Sequence, residues 1–149
     1  QIRELQNGGE FVVLLFLAAW GNDTLAYCTG MLIGKHKMSP ILSPKKSIEG
    51  LIGGIVGAAI LGGLYGMYLN TYIRFSFNPV TMFPVICGLG GAVSVIGDLA
   101  ASAIKRDSGI KDYGTLIPGH GGILDRFDSI IFIAPVIYYL TVMISGGAI

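Results

Sequence analysis

Four long apolar runs, at residues 11–34, 51–69, 79–98 and 130–149, constrain this chain more than any single motif does. Each approaches the ~20 helical residues, at about 1.5 Å apiece, that cross a hydrocarbon core of ~30 Å. The expected fold class is therefore all-α, a polytopic transmembrane helical protein with about four spanning helices and two polar loops. Composition agrees: 52% of the residues are hydrophobic, only 13% are charged, and the mean hydropathy is +0.68, outside the usual range of soluble domains. No internal repeat or soluble-domain linker divides residues 1–149, so one membrane-embedded domain is expected. The first run carries Asn22 and Asp23 and no small-residue cleavage pattern, so it reads as a span and not as a signal peptide. Gln1 in place of Met makes the chain read as a piece of something longer.

Basic residues orient the spans. Lys35, Lys37, Lys45 and Lys46 occupy one connection, and Lys105, Arg106, Lys111 and Arg126 another. Two spans separate them, so both connections fall on one side, which the positive-inside rule makes cytoplasmic. The link around Arg74 and both chain ends then face the other way. A net charge of +1 points to no nucleic-acid partner. Cys28 and Cys87 lack the paired spacing of a metal or redox motif and are expected to pack. The Gly53/Gly57 and Gly62/Gly66 pairs, at four-residue spacing, suit close helix packing or a dimer surface.

Against this apolar background the stretch from Asp98 to Asp128 stands out as a polar island. A helix is expected to run past Gly97 to Lys105 or Arg106, which places Asp98, Ser102 and Lys105 at i, i+4 and i+7 on one face. The glycines and prolines from Gly109 to Gly122 then call for a structured loop. Helix resumes near Gly122 and brings Asp125 and Asp128 onto a common face. Asp98, Asp125 and Asp128 can thus converge on a hard divalent cation, because oxygen ligands suit magnesium and the ion offsets their repulsion. Magnesium also accepts phosphate oxygens, so a phosphate-bearing substrate completes such a site. Lys105, Arg106, Lys111 and Arg126 could neutralise phosphate charge, and the Gly121–Gly122 backbone could approach a phosphate closely. Asp23, deep in the first span, is a further functional candidate. No Gly-x-x-x-x-Gly-Lys-Ser/Thr loop is present, which argues against a P-loop enzyme. A cation transporter or channel using Asp23 and Asp98 stays open at this point.

The run Ser102-x-x-Lys105-Arg106, Lys111-Asp112-x-Gly114, Pro118-x-His120-Gly121-Gly122 and Asp125-Arg126-x-Asp128 resembles the signature of the phosphatidate cytidylyltransferase (CDP-diacylglycerol synthase) family. A second segment, Asp23-x-x-Ala26-Tyr27-x-x-Gly30 through Gly34-Lys35 and Ser43-Pro44-Lys45-Lys46-x-x-Glu49-Gly50, resembles that family too. Ser47 and Leu25 depart from the commoner threonine and glycine, and the family's amino-terminal helices are missing, which points to a carboxy-terminal catalytic part. The resemblance implies transfer of a cytidylyl group from CTP to phosphatidic acid, giving CDP-diacylglycerol and pyrophosphate.

It implies roles as well. Asp98, Asp125 and Asp128 would hold Mg2+, with a second cation allowed for. Lys105 and Arg126 would stabilise the triphosphate and the departing pyrophosphate, and Ser102 would position a phosphate or water. Lys45 and Lys46 would bind CTP or the lipid phosphate, and His120 with Gly121 and Gly122 would shape the nucleotide pocket. A homodimer in a bacterial-type inner membrane, surrounded by membrane lipids and with its site facing the cytoplasm, completes the expectation. A CTP-dependent lipid kinase is the neighbouring alternative.

Overall fold

The computed structural model describes residue 2 and residues 8–39, 43–109 and 124–144, with residues 39, 43–45 and 124–128 described by backbone alone. The first span begins as α1 (Gly8–Phe16), passes through a π-helical stretch, Leu17–Gly21, and continues as α2 (Asn22–Ile33). A two-stranded hairpin follows, β1 (Lys37–Ser39) and β2 (Ser43–Ser47), then α3 (Ile48–Tyr72), α4 (Pro79–Asp107) and α5 (Leu124–Ile144). Among the described residues three helical stretches are long and apolar enough to cross a membrane: Gly8–Ile33, Ile48–Tyr72 and Pro79–Asp107. The described apolar part of the fourth, Ser129–Ile144, is shorter. The expected all-α polytopic architecture is therefore observed, and the hairpin is its one β element among the described residues.

Local chemistry sets the helix ends. Ser47 caps α3, its hydroxyl accepting the Gly50 N–H at 3.1 Å. Asn78 caps α4 by accepting the Val80 N–H at 3.0 Å, and Pro79 sits in the first turn, where a missing N–H costs nothing. At its other end α4 closes with the Ser108 N–H on the Ile104 carbonyl, at 3.0 Å, and with Gly109 at a φ of +68°, a left-handed conformation that favours glycine. The helix thus runs slightly past the expected Lys105 or Arg106.

The core lies where α1, α3, α4 and α5 meet. Leu14, Phe83, Ile86, Ile133 and Ile137 are fully buried there. On α3 two faces oppose each other. Ile52, Val56, Ile60, Leu64, Tyr68 and Tyr72, four apart, are each more than half exposed, as expected of a lipid-facing stripe. Gly54, Ala58, Gly62 and Gly66 are buried on the other face.

The small residues are spent inside the molecule. A Cβ on Gly62 would meet Cys87 and the Phe83 carbonyl at 2.7 Å, and one on Gly53 would meet Thr29 at 2.4 Å. These glycines seat α4 and α2 against α3, so they offer no support for a dimer surface. The two cysteines also separate: Cys87 packs in the core as expected, whereas Cys28 is exposed, which corrects its reading as a packing residue.

One end of the bundle is closed by rings. Phe11, Phe75, Phe77 and Phe83 contact one another with centroids 5.5–6.4 Å apart. Tyr65 stacks on Phe83 at 6.0 Å, and its hydroxyl donates to the Glu10 carboxylate. The hairpin, and with it the polar chemistry, occupies the opposite end.

Candidate functional site

The hairpin is fastened to α3 by a single carboxylate. Glu49, in the first turn of α3, accepts the backbone N–H groups of Lys35 at 3.1 Å and His36 at 3.2 Å, and it pairs with the His36 ring Nδ1 at 2.6 Å. The Ile48 N–H adds a bond to the His36 carbonyl at 3.0 Å. Strand pairing of Lys37 with Ser47 and Ser39 with Ser43 completes the clamp. Beneath it α2 and α3 approach backbone to backbone: a Cβ on Gly50 would lie 2.7 Å from the Ala26 carbonyl and 3.2 Å from the Gly30 Cα. Only glycine allows that approach.

This frame delivers Lys46 to the heart of the polar end. Its Nζ lies 2.5 Å from Oδ2 of Asp98, 52 residues away on α4. The other carboxylate oxygen, Oδ1, accepts the hydroxyl of Ser129 on α5. With side-chain exposures of 32% for Lys46 and 17% for Asp98, the pair is screened less than one on an open surface. Three separate elements, β2, α4 and α5, therefore meet at one carboxylate.

Lys46 and Asp98 line a cavity of about 530 Å³ that also touches Asn22, Asp23, Lys37 and Ser47, a volume ample for a small-molecule substrate. Its outer wall is different in character. Tyr27 and Met31 on α2 are each 67% exposed, and with Met38 and Leu51 they give an apolar flank beside the polar interior. At the inner end Asn22 is fully buried, and among the described residues neither amide atom of its side chain finds a partner. A Cβ on Gly54 would lie 2.7 Å from its Oδ1 and one on Gly91 3.0 Å. The amide is thus gripped between α3 and α4 at the cavity's edge, just after the π-helical stretch.

The expected site residues distribute as follows. Asp98, Lys46 and Asp23 come together on the cavity. Ser102 and Lys105 continue the Asp98 face of α4, about 6 and 10 Å further along at 1.5 Å per residue; both are half-buried, Arg106 is exposed, and none of the three lines the cavity. Lys45 lies on β2, and Asp125, Arg126 and Asp128 lie in the opening turns of α5, their side chains outside the described residues. Lys111, His120, Gly121 and Gly122 also lie outside the described residues. Position 125 is one helical turn before Ser129 and position 128 is next to it, so the helix that bonds Asp98 also carries both other acidic positions. Among the described residues no group of three potential ligands is gathered around one point.

The donor chemistry nevertheless suits a hard cation. Asp98 presents carboxylate oxygens at the polar end of the cavity, and a positive group, the Lys46 ammonium, already rests against one of them. Sequence reasoning did not assign Ser129, Lys37 or Ser47 to this site, although Ser129 stands four residues after Asp125, Lys37 lies in the same basic connection as Lys46, and Ser47 lies within the family-like segment.

Comparison with known proteins adds the following. Residues 1–144 match the family model described as "Cytidylyltransferase family". The chain is 44% identical to a Synechocystis phosphatidate cytidylyltransferase over 133 residues, which is 89% of this chain and 43% of that protein. It is 42% identical to the Haemophilus influenzae phosphatidate cytidylyltransferase over 132 residues, 88% of this chain and 46% of that one. A Staphylococcus haemolyticus relative of the same name is 38% identical over 136 residues, 91% of this chain and 50% of the relative. The chain spans about half the length of the curated relatives it matches.

Proposed function

Because this chain belongs to the cytidylyltransferase family, we propose that it is the membrane-embedded catalytic part of an enzyme that transfers a cytidylyl group from CTP to phosphatidic acid. The products are CDP-diacylglycerol and pyrophosphate. The observation that carries the proposal is the meeting of Lys46 and Asp98 on a cavity with a polar interior and an apolar flank. Such a cavity matches a substrate pair in which one partner is wholly polar and the other is a lipid with a phosphate head.

The lipid phosphate is a monoester whose second pKa is about 6, so it is largely dianionic at neutral pH and needs no strong protein base. Its oxygen attacks the α phosphorus of CTP, the bond from that phosphorus to the bridging oxygen breaks, and pyrophosphate leaves. The protein's work is then alignment and charge neutralisation. Lys46 supplies a mobile positive charge inside the cavity, Lys105 and Arg126 supply more along the adjoining helices, and Ser102 positions a phosphate or water. Tyr27 and Met31 give the acyl chains an apolar wall.

Magnesium, alone or with a second cation, would be held by Asp98, Asp125 and Asp128 and would supply neutralising charge at the triphosphate when bound. Ser129 fixes the orientation of Asp98 for that purpose. By the distribution of lysine and arginine the site faces the cytoplasm of a bacterial-type inner membrane. A homodimer rests on the family resemblance alone.

Placement of the label tests the reading. With the full-length parent, magnesium and phosphatidic acid, α-labelled CTP is expected to mark the lipid and γ-labelled CTP to leave it unmarked. The reverse pattern would mean lipid phosphorylation, and flux of cations without CTP consumption would mean a channel. Assaying the 149-residue chain alongside measures what the remainder contributes.

A further inference from the structure

We propose that Lys46 is a tethered counter-ion that holds the Asp98 carboxylate until a divalent cation displaces it, whereupon the freed ammonium turns to a substrate phosphate. This inference rests on the function proposed above. It adds a positioning step that the sequence, which marked Lys46 only for phosphate, gave no reason to expect.

The Asp98 side chain is 17% exposed, and a carboxylate so withdrawn from water is stabilised by a positive partner. Ser129 satisfies Oδ1 with a neutral hydroxyl, which leaves Oδ2 and the net charge to Lys46, 2.5 Å away. A divalent cation at Asp98 needs the same oxygens. Two positive centres cannot share them at that distance without strong repulsion, so binding of the ion evicts the ammonium.

Lys46 is built for that displacement. Its backbone is fixed, since it lies in β2 directly before Ser47, the residue that caps α3. Motion is therefore confined to the four-carbon stem and its compact, freely rotating ammonium. The cavity that both side chains line gives the stem room to swing. Asp98 and Lys46 neutralise each other before loading. Once ion and substrate are both bound, Asp98 faces the cation and Lys46 faces the phosphate, and with the ion alone the displaced ammonium turns into the open cavity.

Direct binding of Mn2+ to the full-length parent in detergent, without CTP or lipid, provides the test, followed by electron paramagnetic resonance of the free ion. Removing the competing ammonium in Lys46→Gln is expected to tighten Mn2+ by about 10-fold, while Lys46→Arg stays near wild type. The same Lys46→Gln variant is expected to raise the KM for CTP or lipid, so affinity for the metal and affinity for substrate move in opposite directions. Unchanged or weaker Mn2+ binding in a folded Lys46→Gln would overturn the proposal.

Asp98→Asn separates this failure from that of the underlying reading. If Mn2+ affinity is the same in Asp98→Asn and wild type, the ion does not sit at Asp98 and both fall. If Asp98→Asn weakens binding but Lys46→Gln does not tighten it, only the tethered counter-ion falls. The wild-type protein gives an independent measurement should Lys46→Gln fail to fold. Mg2+ is expected to increase acetylation of the Lys46 amine several-fold by mass spectrometry, and equal acetylation with and without Mg2+ would contradict the displacement.

Discussion

The two ends of this bundle handle their polar groups in opposite ways. At the ring-closed end, Glu10 has a tyrosine hydroxyl as its partner and sits beside Phe11, one of four contacting phenylalanines. At the hairpin end, Asp98 is shared by a lysine and a serine from two other elements, and it borders an open cavity. One arrangement fills space with apolar contacts and the other keeps space beside a charge. On the proposed function, stability and chemistry are separated along the bundle, and substitutions at the two ends should fail differently.

The largest effect is expected from Phe83→Ala. Phe83 is fully buried and touches every other ring of the cluster, so truncation should cost about 3–5 kcal/mol through lost contacts and a residual cavity. Thermal or denaturant unfolding in detergent measures this, and below the new unfolding midpoint the rate of transfer per folded molecule should stay near wild type. A selective loss of rate would break the separation between the ends. Tyr65→Phe removes the hydroxyl that Glu10 accepts and should cost ~1–3 kcal/mol by the same measurement, again with the chemistry intact.

Glu49→Gln probes the other end. Its carboxylate organises Lys35, His36 and the hairpin, so the amide should loosen the presentation of Lys46. A rise in KM of about 10-fold is expected, read from steady-state transfer, with little change in unfolding midpoint. A midpoint shift as large as that of Tyr65→Phe would show the hairpin to be a stability element and blur the comparison. The smallest effect belongs to Cys28→Ala, exposed and outside the cavity lining, which should change stability by less than ~0.5 kcal/mol and leave transfer unchanged.

How far each end could be read in the sequence follows from the range of the interactions involved. The spans were legible because burial in lipid demands length and hydropathy, both local properties. The reach of α4 past Gly97 was legible from equally local spacing. The resemblance placed Lys46 and Asp98 in one site with separate roles, but their direct pairing was not anticipated, since nothing local connects residues 52 apart.

What escaped depended on three-dimensional packing. The segment Ser43–Ser47, with a proline and two lysines, has weak strand propensity; it pairs as β2 because Glu49 and the close glycine contact of α2 with α3 hold it in place. The π-helical stretch before Asn22 and the burial of the Asn22 amide between two glycines could not be read from periodicity. Four-residue glycine spacing says that a helix packs closely, without saying whether its partner is another helix of the same chain, and here it is.

The central claim is that Asp98 ligates the ion that serves transfer to the lipid. Replacing it with a softer ligand tests that most directly, by measuring α-labelled CTP incorporation into phosphatidic acid by full-length Asp98→Cys in a Cys28→Ala background, with Mg2+ and then with Cd2+. Transfer should be lost with Mg2+ and recovered with Cd2+, because a thiolate selects the softer metal. Wild-type transfer with Mg2+ in the Asp98→Cys protein would contradict the account.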